Sequence, residues 1–177
     1  MQPELESISW VKWQLFCTLT FKGYVPVLDD QRKIAFAWLR AVAHDFKLPF
    51  RKLIWVLRLE AGDARGRLHL HALIAGLPAE RLDTYARFHI GSLWTKKSGG
   101  LHSDSRLQRG GFAQIFPYDT VSDCASYILK PSRVEETAHE TRKFGGCCDV
   151  MLSKSLIGFI DRGCLKRQTG RRESDKR

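Results

Sequence analysis

The chain has 177 residues, 44% of them hydrophobic, and a formal net charge of +10, which allows one core-bearing domain but not two and points to a polyanionic partner. Five cysteines without paired CxxC spacing exclude a disulfide framework and a zinc ribbon. The opening "MQPELES" lacks a signal peptide's features and no apolar run approaches the ~18 residues of a membrane span, so no membrane partner and a cytoplasmic location are expected.

In chain order, "WQLFCTLTF" (13–21) alternates, with Leu15, Cys17, Leu19 and Phe21 on one face and Phe16, Thr18 and Thr20 on the other. That is strand periodicity. "DDQRKIAFAWLRAVAHDF" places Ile34, Trp38, Leu39 and Val42 at helical spacing; Asp29 or Asp30 is the expected N-cap and Pro49 closes the region. "KLIWVLRLE" and "RLHLHALIA" flank the turn-rich "AGDARG" and read as a hairpin. After Pro78, "AERLDTYARFHIGSLW" reads as a helix and "TKKSGGLHSDSRLQRGG" as a basic loop. "FAQIF" is a short strand, followed by "YDTVSDCASYILKP", a helix capped by Asp119 or Thr120 and stopped at Pro131.

This order predicts an α+β protein with the split βαβ, ferredoxin-like arrangement. A central antiparallel sheet would carry helices on one face and leave the other open. Residues 1–131 form the expected core. Residues 132–177 are an extension holding the small apolar stretch "MLSKSLIGFI" and a basic, flexible tail.

The stretch "RLHLHALI" carries the chemistry. Side chains at i and i+2 of a strand share a face, so His69 and His71 point together while Leu68, Leu70, Ala72 and Ile74 form the core row. In the partner strand Leu53, Trp55, Leu57 and Leu59 oppose Ile54, Val56, Arg58 and Glu60. Pairing Glu60 with His69 aligns the apolar rows of both strands, whereas a shift of one residue would bury the histidines. Alternation alone thus sets a carboxylate beside two imidazoles, a mixed N/O set suited to a divalent metal in a catalytic site. In "DTVSDCASYILKP", Val121, Ala125 and Ile128 share one helical face, and Asp123, Tyr127 and Lys130 share another. A phenol with a pKa near 10 becomes a nucleophile only beside a polarised electrophile or a cation.

Together, "FCTLTF", "GRLHLHALI" and "YILK" resemble, in that order, the three motifs of the HUH endonucleases, specifically the single-tyrosine rolling-circle replication initiators (Rep) of plasmids and phages. The resemblance spans residues 13–131. It implies His69, His71 and Glu60 as ligands of Mn²⁺ or Mg²⁺, Tyr127 as nucleophile, and Lys130 as the residue that positions or neutralises the scissile phosphate. Relaxases place the tyrosine ahead of the histidines, and HUH transposases usually carry Gln on the tyrosine helix; Lys130 favours the initiators. Two departures stand out. Lys130 is followed by Pro131 rather than an aromatic, and Asp123 occupies the position of the second tyrosine in two-tyrosine members, where it would either activate water at termination or simply favour the helix N-terminus.

The implied reaction is nicking and joining of single-stranded or hairpin origin DNA through a 5′-phosphotyrosine link. With no nucleotide-binding loop in the chain, a separate host helicase and a DNA polymerase are the expected partners. Phe16, Thr18, Thr20, Lys22 and Arg58 on the open face, with Lys96, Lys97, Arg106 and Arg109 in the loop, are the expected DNA contacts. The rival readings are an HUH transposase or relaxase, a zinc hydrolase, and a noncatalytic ferredoxin-like nucleic-acid-binding module.

Overall fold

The computed structural model describes Ile8 and residues 10–22, 27–61, 68–99, 111–120, 124–129 and 150–158. Its elements are β1 (Leu15–Thr20), α1 (Leu28–Asp45), β2 (Ile54–Ala61), β3 (Leu68–Ala75), α2 (Thr84–Gly99), β4 (Ala113–Pro117), α3 (Cys124–Leu129) and β5 (Val150–Leu152). The strands form one open sheet in the order β4-β1-β3-β2-β5, every neighbouring pair antiparallel. The molecule is an α+β protein.

The alternation read from β1, β2 and β3 decides the first layer. Leu15, Cys17, Leu19, Leu57, Leu70, Ala72 and Ile74 are buried under Trp38, Leu39 and Val42 of α1 and Ile90 and Trp94 of α2. The Trp38 indole donates to the Ile90 carbonyl at 3.0 Å, tying the two helices together, and the Trp94 indole donates to the Thr20 carbonyl at 3.0 Å. Burial of each large side chain contributes about 1.5–3 kcal/mol, and this layer is the larger of the two apolar clusters that hold the sheet.

The second face departs from expectation, because one end of it is covered. Ile8, Val11, Trp13, Ala125 and Ile128 of α3, and Leu156 pack over Val56, Leu73 and Ala75. The cause lies in the strands: Val56 and Leu73 are directly opposed, so β2 and β3 are apolar on both faces there. Toward the other end the same face turns polar, with Thr18, Thr20, Glu60, His69 and His71.

Several element ends differ from the sequence reading. α1 starts after Val27 with no side-chain cap; Asp29 and Asp30 sit inside its first turn, paired to Arg32 at 3.7 Å and Lys33 at 2.9 Å, where they meet the positive end of the helix dipole. It ends before Pro49 through a left-handed Lys47 (φ 56°), whose N–H donates to His44 O while Leu48 N–H donates to Ala43 O, both at 2.8 Å. α2 begins on a true cap, Asp83 Oδ1 accepting from Ala86 N–H at 2.7 Å, and runs on through Thr95–Gly99, which were expected in the loop. Residues 121–123, between the expected α3 caps Asp119 and Thr120 and the helical residues Cys124–Leu129, lie outside the described residues. The stretch "MLSKSLIGFI" supplies β5, which pairs with β2, and a helical segment 154–158. No helix among the described residues is long and apolar enough to cross a membrane.

Candidate functional site

The pairing deduced from the leucines is the pairing present. Glu60 faces His69 and Arg58 faces His71 across β2 and β3; on the other side of β3, Thr18 faces His71 and Thr20 faces His69. Directly opposed residues share a face, so all six stand on the second face of the sheet.

His71 is the centre of this group. It is only 6% exposed, with Nε2 3.1 Å from Glu60 Oε2 and Nδ1 3.2 Å from Thr18 Oγ1. The Phe16 ring stacks on it at 5.6 Å and 13°. Burial holds its pKa below the ordinary histidine value; Glu60 pulls it back up, while His69 and Arg58 push it further down. The imidazole is therefore neutral at pH 7, as a metal ligand must be. The Thr18 hydroxyl suits either tautomer: it donates to a bare Nδ1 when Nε2–H points at Glu60, and accepts from Nδ1–H when Nε2 is free to bind a cation.

His69 completes the set incompletely. Its Nδ1 is buried without a hydrogen-bond partner among the described residues, and its ring lies 6.1 Å from that of His71 at 75°. Two donors bound at about 2.0–2.2 Å to one tetrahedral or octahedral ion stand roughly 2.8–3.6 Å apart. The separation of His71 Nε2 and Glu60 Oε2 falls in that range. Two coordinated imidazole rings would have centroids about 4.5–5.3 Å apart, so His69 sits about an ångström too far out. Among the described residues no three His, Cys, Asp or Glu side chains already enclose an ion position. The donor types and the orphaned His69 nitrogen suit a divalent metal, although the described positions bring only His71 and Glu60 to ligand separation.

α3 brings Tyr127 to this face by its backbone, since its neighbours Ala125 and Ile128 are buried over Val56 and Leu73. Nothing in the sequence pattern revealed what holds α3 there. Arg58, expected to contact DNA, is buried instead, and its Nη1 donates to the Ile128 carbonyl at 3.0 Å. One strand residue thus joins the histidine row to the tyrosine helix.

The other expected contacts separate. Thr20 Oγ1 donates to the Phe112 carbonyl at 3.1 Å, and Lys22 is exposed just beyond β1. Lys96 and Lys97 occupy the last turn of α2, which packs on the opposite face from the histidines. Asp123, Lys130, Arg106 and Arg109 lie outside the described residues, as does the Tyr127 side chain. Sequence reading also missed two exposed aromatics, Phe112 (62%) and Phe116 (51%), although the alternation of "FAQIF" carried the signal.

Comparison with known proteins adds no identity. No protein-family model, curated protein or solved structure matches the chain.

Proposed function

We propose that this chain is a metal-dependent, HUH-type endonuclease that nicks and joins single-stranded DNA at a specific sequence through Tyr127, to start and finish rolling-circle replication. The observation that carries the reading is the contact of Glu60 with His71, at the register that alternation requires, on the sheet face that also receives α3. The strand order, with α1 and α2 together on one face, supports the ferredoxin-like arrangement such enzymes use.

In this reading His69, His71 and Glu60 hold Mn²⁺ or Mg²⁺, which when bound supplies charge stabilisation at the scissile phosphate. Thr18 fixes the His71 ring, and burial keeps that ring neutral. Arg58 anchors the helix that bears Tyr127. The Tyr127 oxygen attacks phosphorus and loses its proton; the P–O3′ bond breaks, and the departing 3′-oxygen takes up a proton. The product is a 5′-phosphotyrosyl diester and a free 3′-OH able to prime a polymerase. One diester replaces another, so rejoining needs no ATP. Lys130 balances charge on the phosphate, and Asp123 activates water or favours the helix start.

A noncatalytic nucleic-acid-binding module is the second reading, favoured by the exposed Phe112 and Phe116. End-labelled random-sequence single-stranded DNA incubated with Mn²⁺ or with EDTA separates the two. The main reading expects metal-dependent shortening of the labelled strands, with one sequence enriched at the new ends, that His71→Ala abolishes. Binding without cleavage in either condition favours the module.

A further inference from the structure

Edge strand β4 carries aromatic rings where a buried sheet would place aliphatic ones. Phe116 pairs with Phe16, and Gln114 pairs with Thr18, so both stand on the histidine face. Phe112 follows by alternation. Thr20 holds its carbonyl through both the backbone N–H at 2.8 Å and the hydroxyl at 3.1 Å. The preceding Gly111 is clamped by α2: its N–H donates to Ser98 Oγ at 2.7 Å and its carbonyl accepts from Thr95 Oγ1 at 3.0 Å. The backbone under these rings is therefore fixed while the rings themselves face solvent, at 62% and 51% exposure.

We propose that Phe112 and Phe116 form a base-stacking strip that receives single-stranded DNA beside His69 and His71; the choice of DNA rests on the function proposed above. Three observations select this occupant. The strip is continuous with the candidate site, because Phe116 opposes Phe16, which stacks on His71, and Phe112 lies beside Thr20, which opposes His69. Its exposed members are aromatic and polar with no aliphatic among them, which suits base faces and edges better than a protein core. The charge is complementary: Lys22 is exposed past Thr20 at the same end, on a chain of net charge +10. Four residue steps along the strand separate the two rings by about 13 Å, so they serve two different bases, with Gln114 between them.

The test is fluorescence anisotropy of the full chain with 5′-fluorescein-dT20 in EDTA, where no nicking is needed. Phe112→Ala and Phe116→Ala are each expected to weaken binding roughly 5- to 150-fold. Phe→Leu at either position, which keeps apolar bulk but not the ring, is expected to weaken it as well, and Phe→Trp to retain it. Melting curves of these exposed-site variants should match wild type. Unchanged affinity in the Ala variants, or no binding by the wild type, overturns the strip. So does a wild-type dimer that the Ala variants dissociate without change in DNA binding, which would make the face a contact between copies. Covalent adduct formation on random-sequence single-stranded DNA with Mn²⁺, measured in parallel, keeps the two ideas apart. Adduct with ring-independent dT20 binding sinks the strip alone; ring-dependent binding without adduct supports the strip and sinks the nuclease.

Discussion

Removing the Arg58 guanidinium should loosen α3 more than any other element. Arg58→Met keeps most of the aliphatic stem but leaves the Ile128 carbonyl without its donor at 3.0 Å in a buried setting. A hydrogen bond from a charged group contributes about 1.5–3 kcal/mol, and a stranded buried carbonyl costs about 1–3 kcal/mol. Relief from burying the cation offsets part of this, so a net loss of about 2 kcal/mol is expected. Among the described residues α3 spans Cys124–Leu129, where Ala125, Ile128 and this bond tie it to the sheet. The loss should therefore be local. Hydrogen exchange followed by mass spectrometry should show peptides from α3 losing protection about 30-fold, while β3 changes little. Equal loss in α3 and β3 would mean that Arg58 supports the sheet generally; unchanged protection in α3 would refute its role as an anchor.

Thr18→Val removes the hydroxyl beside His71 Nδ1 and should weaken Mn²⁺ binding by about 10- to 100-fold in calorimetry; unaltered affinity would contradict the assigned ring support. Because the folded chain holds the His71 pKa below its ordinary value, the unfolded chain binds that proton first as pH falls. Stability in EDTA should therefore decline as pH drops below about 6.5 toward the lower folded value, and His71→Gln should flatten that slope in urea titrations. Gly111→Ala would set a Cβ 1.8 Å from the Thr20 carbonyl oxygen and 2.8 Å from Trp94 Nε1, so a lower melting temperature is expected, against the rise that Gly→Ala often gives at unstrained sites.

The apolar alternation of β1, β2 and β3 made the central sheet legible. One row of leucines per strand excludes registers shifted by one residue, and Glu60 opposite His69 is among those that keep the rows buried. What lay hidden were contacts between segments distant in sequence. The bond from Arg58 to Ile128 joins residues 70 positions apart, and no local pattern announces it. Val56 and Leu73 read as incidental apolar residues on a polar face until α3 and Leu156 cover them. The end of α2 is not legible because Thr95–Gly99 carry no apolar periodicity; instead Thr95 Oγ1 donates to the Gly111 carbonyl and Ser98 Oγ accepts from the Gly111 N–H. Burial of His71 was likewise invisible, since it comes from Phe16 above the ring and neighbours on three strands.

The central claim is that Tyr127 becomes covalently joined to DNA. Random-sequence single-stranded DNA incubated with the full chain and Mn²⁺ should yield a protein–DNA adduct that survives SDS, with mass spectrometry placing the nucleotide on Tyr127, and Tyr127→Phe should abolish it. No adduct from the wild-type chain, or an undiminished one from Tyr127→Phe, would contradict the account.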